Sequence, residues 1–183
     1  ENGLSDLHVR TLALTSNGDV LAATDQGINI CRLVNGKATV NVIGPKNGLP
    51  DYYVTSIAAA GNNTYWIGMQ EKGFCLYDHS SGKITIPAAA QSWSYGQVNE
   101  LLVSQKNLWI ATEENGLLKQ SGMNSPAEFY NSSTGIQNKI NILLLYNECN
   151  FWMSTATALI SITGNRLKLL PVYSPEVFET IHA

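Results

Sequence analysis

Leu108-Trp-Ile-Ala-Thr112 decides the fold, because the chain writes it four times: Val20-Leu-Ala-Ala-Thr24, Tyr65-Trp-Ile-Gly-Met69 and Phe151-Trp-Met-Ser-Thr155 are variants of the same run. The second residues of the four copies, Leu21, Trp66, Trp109 and Trp152, lie 45, 43 and 43 residues apart. A period in the low forties signals a repeat architecture.

The rest of each unit falls into place around this marker. Upstream stands an alternating apolar run: Val9–Leu14, Val54–Ala59, Val98–Val103 or Ile140–Leu145. Their period of two and β-branched content predict strands. A short polar turn joins run to marker, Ser16-Asn-Gly-Asp19, Gly61-Asn-Asn-Thr64, Gln105-Lys-Asn107 or Asn147-Glu-Cys-Asn150, which suits an antiparallel hairpin. A polar turn ending in Gly27, Gly73 or Gly116 then leads to a third strand such as Gly73–Asp78. A further turn leads to a fourth strand at 38–43, 84–87 and 167–172, while Gln120–Pro126 blurs this connection in the third unit.

Four antiparallel strands in some forty residues are the sequence form of a β-propeller blade. Helical repeats of similar length need a 3.6-residue period, which these segments lack. The expected fold is therefore all-β, four four-stranded antiparallel sheets of a partial propeller. The blades span approximately 2–46, 47–93, 94–131 and 132–173 within a single unit of residues 1–183. Residues 174–183 begin a further blade or a closing strand: Phe178–Ala183 has the form of an inner strand, the competing reading being a short helix capped by Ser174 and opened by Pro175. On the strand reading the chain is a segment of a larger propeller, and its end sheets need covering by remaining blades or by a second copy.

Composition narrows the function. Only 14% of residues are charged and 44% are apolar, spread in short runs, as expected of buried sheet. No apolar stretch reaches the length of a membrane span, so this segment is not expected to insert into a bilayer. A net charge of −3 without a basic stripe gives nucleic acid no purchase. Cys31, Cys75 and Cys149 are odd in number and lack metal-ligand spacing, so no metal or other cofactor is expected. Cys31 and Cys75 read as small buried hydrophobes and Cys149 as a turn thiol.

The order Asn-Gly-Leu, apolar strand, Asn-Gly, Trp-Ile-Gly/Ala-Thr, Gly-Leu and Tyr-Asp resembles the two-component regulator propeller repeat of bacterial hybrid sensor kinases. Here it reads Asn2-Gly-Leu4, Asn47-Gly-Leu49, Asn17-Gly18, Trp66-Ile-Gly68, Trp109-Ile-Ala-Thr112, Gly116-Leu117 and Tyr77-Asp78. The first unit has Leu21 for Trp, the third has Ser94-Tyr-Gly96 for Asn-Gly-Leu, and the fourth has Ala158 for the turn glycine. The resemblance implies a periplasmic sensor region, oligosaccharides released from glycans as ligands, and a signal passed to a kinase elsewhere on the polypeptide. No kinase motif lies in these residues.

Trp66, Trp109 and Trp152 are assigned to structural core, because an indole repeated at one strand position fills the space between twisted sheets. None of the common nucleophile or metalloprotease motifs is present. The paired acids Glu113-Glu114 occupy a solvated turn, so no catalytic residue is named. An up-and-down path puts the longer loops between blades on one face, together with the turns between second and third strands. That face collects the candidate ligand-binding residues Asp51, Tyr52, Tyr53, Trp93, Tyr95 and Gln97. Trp93 is the tryptophan outside the repeat register. It suits a sugar or protein contact, or else a staple between adjacent blades. The leading expectation is non-enzymatic ligand sensing. The alternatives are a protein-interaction propeller without a small-molecule ligand, and a hydrolase or lyase built on the axis.

Overall fold

The computed structural model describes residues 3–136, 138–147, 150–155 and 158–163 with their side chains, and 166–170 as backbone. Cys149 and the segment Ser174–Ala183, with its two readings, lie outside the described residues.

The first sheet consists of β1 (Val9–Leu14), β2 (Val20–Thr24), β3 (Gly27–Val34) and β4 (Lys37–Ile43). The second contains β5 (Val54–Gly61), β6 (Thr64–Met69), β7 (Phe74–Asp78) and β8 (Ile84–Thr85). The third contains β9 (Val98–Ser104), β10 (Asn107–Thr112), β11 (Leu117–Gln120) and β12 (Glu128–Tyr130), and the fourth β13 (Ile140–Asn147), β14 (Asn150–Thr155), β15 (Leu159–Thr163) and β16 (Arg166–Leu170). Every sheet keeps its strands in chain order, paired antiparallel. The first strands β1, β5, β9 and β13 adjoin one another and form the inner rim, so the four sheets are successive blades of a propeller arc. The connections between β5 and β6 and between β9 and β10 put both turn residues at positive φ, Asn62 and Asn63 at 49° and 58°, Gln105 and Lys106 at 49° and 63°. These are type I′ hairpins, whose twist matches that of the strands they join.

The marker strand shows why the repeat has its form. Side chains alternate across a sheet. Leu21 and Ala23 of the first blade therefore face forward, where they pack with Tyr65, Ile67 and Met69, which face back from the second. Trp66 and Phe74 then meet Leu101, Leu108 and Ile110 of the third blade. Trp109, Ala111 and Leu117 in turn meet Leu143, Phe151 and Met153 of the fourth. Two residues beyond each large marker stands a small one, Ala23, Gly68, Ala111 or Ser154, and the contact at Gly68 gives the reason. A Cβ added there would lie 2.7 Å from Val98 Cγ1, the first residue of the next inner strand. The threonine that closes the motif ties the following turn: Thr112 Oγ1 donates to Gly116 O at 2.8 Å and accepts from Asn115 N at 3.0 Å. Thr24 does the same with Gly27 and Gln26.

The loops between blades are plugs. Pro45–Asn47 forms one 3-10 turn, closed by Gly48 at φ 91°, and drops Leu49 into the core between the first and second blades. Asn131 caps a second such turn, Ser132–Thr134, after which Ile136 fills the same place between the third and fourth.

The three core tryptophans differ in their surroundings. Trp109 is 2% exposed, with Phe151 at 4.8 Å and Tyr130 at 5.8 Å between ring centroids. Trp66 packs against the third blade yet stays half-buried. Trp152 is half-buried too, and it borders an apolar hollow of about 360 Å³ with Ile142, Leu144 and Leu159. At the other end of the arc, Leu12 and Leu14 project from the back of the first blade, 63% and 72% exposed.

Interlocking at Gly68 yields a contrast. Gly68→Val forces Val98 out of place and should lower stability by about 1–3 kcal/mol. Ser154→Val, at the same register on the fourth face, which no sheet follows among the described residues, should stay within about 0.5 kcal/mol. Urea midpoints at constant m-value check both.

Candidate functional site

Backbone hydrogen bonds fix which loops share a face. Gln70 N donates to Tyr53 O at 3.0 Å and Glu113 N to Gln97 O at 2.9 Å, so each inter-blade loop lies beside the turn between second and third strands of the blade it enters. This is the face expected to carry ligand-binding residues, and the six candidates separate there into three groups.

Asp51, Tyr52 and Tyr53 sit at the entry of the second blade. The Asp51 carboxylate accepts from Glu71 N at 2.9 Å and from Tyr53 N at 3.3 Å, so it ties loop to turn. Tyr52 and Tyr53 are 48% and 42% exposed. Pro50, the residue before Asp51, lines a cleft of about 330 Å³ together with Glu71, Lys72, Ile86 and the 90–93 segment, which ends in Trp93.

Trp93 itself is half-buried. Its ring lies over Gly73, where any Cβ would collide with the indole, and makes edge contacts with Phe74 at 5.7 Å and Tyr95 at 5.0 Å. Its Nε1–H donates to Gly96 O at 2.7 Å. Trp93 and Tyr95 thus do for the third blade what Leu49 and Ile136 do for the second and fourth, which explains how Ser94-Tyr-Gly96 can stand in for Asn-Gly-Leu. Tyr95 opens on a separate hollow of about 440 Å³, with Phe129 and the 124–127 segment.

Gln97 belongs to a polar chain nearer the axis. All four inner strands carry an irregular register at their second residue, Arg10, Thr55, Asn99 and Asn141. Such bulges re-aim a side chain at a sheet's rim. Asn99 uses this to accept from Gln97 Nε2 at 3.0 Å and to donate to Ile140 O at 2.8 Å and Glu113 Oε2 at 3.1 Å. Lys139 donates to the other Glu113 oxygen, and the two bonds, with the Lys139 one stronger, hold the Glu113 carboxyl below its ordinary range. Glu113 is therefore an ion-paired anchor between the third and fourth blades. Glu114 turns away to pack at Gly96. At the first blade, Arg10 Nε donates to Asp25 Oδ1 at 2.7 Å. Asp6, His8 and Asp25 offer ligand atoms within 4.8 Å of one another, but the guanidinium already neutralises Asp25.

The opposite face holds a cluster that sequence reasoning missed. Asp19, whose side chain is 3% exposed, takes a bidentate hydrogen bond from Arg32 and lies 3.1 Å from His79 Nε2 of the second blade. The Arg32 guanidinium first, then His79 and Asn17, hold the Asp19 carboxyl far below its usual value of 3.8 against the opposing effect of burial. Tyr77 Oη lies 3.5 Å from His79 Nδ1, which completes a Tyr–His–Asp line across the blade interface. Tyr77 is 2% exposed and the line braces the two blades as a strut, beside a hollow of about 320 Å³ that Arg32, Tyr77 and His79 help to line. No local pattern could have found it, since Asp19 and His79 stand 60 residues apart. Burial pushes the Cys75 thiol up to about 12, which makes it inert.

No protein-family model matches the sequence, and no curated protein does. Solved structures share its fold. The extracellular domain of BT3049 from B. thetaiotaomicron, described as a hybrid two component system, superposes with a TM-score of 0.73 at 16% identity, over 92% of this chain and 25% of that one. The extracellular domain of BT4673 from B. thetaiotaomicron, described as a one component system, gives 0.74 at 15%, over 93% and 25%. PorZ, a surface component of the type-IX secretion system of Porphyromonas gingivalis, gives 0.71 at 13%, over 88% and 26%. The chain thus spans about a quarter of the length of these proteins. At such identities the likeness establishes the fold, and one fold carries several functions. Among the described residues no helix is long and apolar enough to cross a membrane.

The strut at Asp19 predicts a pH dependence. A carboxyl depressed in the folded state contributes stability that is full above its unfolded value and lost as pH falls through the folded one. Asp19→Asn should therefore flatten the decline of the urea midpoint below about pH 4 relative to the parent chain. Superimposable slopes in the two proteins would show that Asp19 carries none of it.

Proposed function

We propose that this chain is a non-enzymatic, ligand-sensing segment of the periplasmic region of a two-component signalling protein, and that its loop face takes oligosaccharides derived from glycans. The observation that carries the reading is the cleft lined by Pro50, Glu71, Lys72 and Trp93, a concave site formed by two inter-blade loops and one turn on a rigid scaffold. An indole edge beside neutral amide and hydroxyl groups, with one acid and one lysine, suits a ligand that is hydroxylated and has apolar C–H faces. The shared fold of extracellular domains described as two component and one component systems supports the signalling context. Paired-carboxylate catalysis is disfavoured because two acids of this face are already engaged: Asp51 holds backbone N–H groups and Glu113 pairs with Lys139.

A second reading, a protein-docking surface, is favoured by one specific feature. Tyr52 and Tyr53 stand side by side and exposed on the same face, and tyrosines are enriched in protein interfaces.

Titration calorimetry against a panel of glycan-derived oligosaccharides separates the two. Sensing predicts saturable heat for at least one saccharide, weakened about tenfold, or 1.4 kcal/mol, by Lys72→Ala and by Trp93→Phe, which keeps the edge contact with Phe74. If no saccharide binds while a protein partner is captured in a way that Tyr52→Ala abolishes, the docking reading replaces it.

A further inference from the structure

The first and second blades are unequal at their outer edge. β3 and β4 run for eight and seven residues, whereas β7 has five and β8 only two, which pair with Leu76 and Tyr77. Antiparallel pairing puts Ile28 beside Ile43, Ile30 beside Asn41 and Arg32 beside Thr39, and alternation turns all three rungs toward the second blade. The first rung is sealed in the core between the two blades. The outer two line a hollow of about 320 Å³, together with Tyr77, His79 and Gly82 of the second blade.

Arg32 makes this hollow chemically specific. Its Nε and Nη2 donate to the two oxygens of Asp19, a carboxylate 3% exposed that also accepts from Asn17 Nδ2 and His79 Nε2 at 3.1 Å each. Four donors on two oxygens saturate Asp19 and hold the guanidinium in one plane from one edge. The other edge, with both hydrogens of Nη1 and the second of Nη2, is turned away from Asp19 and has no acceptor among the described residues. An exposed arginine ordinarily loses side-chain freedom when it grips a ligand, but the Asp19 anchor has already fixed this one. Asn41, one rung inward, is exposed, and its amide has no partner among the described residues. The Thr39 hydroxyl is engaged with Arg32 O at 3.3 Å. No carboxylate stands among the residues that line the hollow, and Ile30, Val40, Ile43 and Tyr77 give it apolar surface.

We propose that this hollow binds small organic carboxylates. The free Nη1–Nη2 edge of Arg32 has the fork geometry that grips both oxygens of a carboxylate, a match that a lysine cannot offer. Asn41 Nδ2 donates to the same group, and the apolar body of the ligand lies along Ile30, Val40 and Tyr77. A cation is repelled by Arg32, and a neutral molecule leaves the fork unmet. The volume lies at the lower end of small-molecule sites, about 300–1,000 Å³, which suits one carboxylate on a short aliphatic chain or a single ring. Asp19 thus has two roles, as a brace between the blades and as the anchor that aims Arg32. The site is distinct from the cleft at Trp93 and stands whether or not the chain serves a sensor.

The test is a heteronuclear NMR titration of the 183-residue chain at constant ionic strength. The probes are hexanoate, benzoate and 3-phenylpropionate, with benzamide as the neutral isostere of benzoate and inorganic phosphate as a plain anion. Each is taken up to about 50 mM, a range that covers the millimolar affinity of so small a ligand. The expected result is saturable shifts of the Asn41 side-chain amide and the Gly82 backbone amide with at least one carboxylate, and binding of benzamide and phosphate at least about fivefold weaker. Asn41→Asp, an exposed substitution that leaves the Asp19 strut alone, should weaken carboxylate binding about tenfold by placing a like charge at the hollow, with the urea midpoint unchanged. Arg32→Lys keeps a charge on Asp19 but loses the fork, and should weaken binding by a similar factor. If no carboxylate moves the two signals, if benzamide or phosphate matches the carboxylates, or if Asn41→Asp binds as the parent chain does, the proposal is overturned.

Discussion

Everything in this molecule depends on one contact repeated between successive sheets: the forward face of one blade meets the backward face of the next, large side chain against small. At the interface of the second and third blades, Gly68 makes room for Val98 while Trp66 and Phe74 lie against Leu101, Leu108 and Ile110. Period-two alternation makes each marker strand two-sided, so a blade uses one set of residues to receive its predecessor and the other to support its successor. Hydrophobic burial at these interfaces, at about 25 cal/mol per Å² of apolar surface, is what lets four-stranded sheets too small to stand alone hold together. The arc thus has two kinds of blade. The second and third are covered on both faces, whereas among the described residues the first and fourth each have one face without a neighbouring sheet, with Leu12 and Leu14 at one end and Ile142, Leu144 and Trp152 at the other.

The repeat was legible because it is written in residues whose roles are local. Alternation gives the strands, Asn-Gly and Asn-Asn give the hairpins, and the spacing of Leu21, Trp66, Trp109 and Trp152 gives the blades. What was not legible depends on how blades sit against each other. Trp152 occupies the register of Trp109, yet it is half-buried beside an apolar hollow and Trp109 is sealed, because only Trp109 has a following sheet among the described residues. The Asp19–His79 strut joins residues from two blades, and the hydrogen bond from Gln120 Nε2 to Ser125 O depends on how the 121–127 connection folds back. Trp93 was recognisable as off-register, but its dependence on the bare backbone of Gly73 was not.

The clefts form where the repeat is broken. The loop-face cleft exists because the third blade replaces the Asn-Gly-Leu plug by Trp93 and Tyr95, and the hollow beside Arg32 exists because β8 is short where β4 is long. Regular positions are consumed by packing between blades and have nothing to spare for a ligand. Irregular ones leave an aromatic wall partly bare on a rigid scaffold.

If covered faces are what hold a blade, protection should follow coverage. Native-state hydrogen exchange, resolved by residue, tests this directly. Amides of β6, β9 and β10, in blades covered on both faces, should exchange slowest, while those of β1 and of β13 and β14 exchange faster by opening locally. Equal protection in all four blades, or the strongest protection in the first or fourth, would contradict the account.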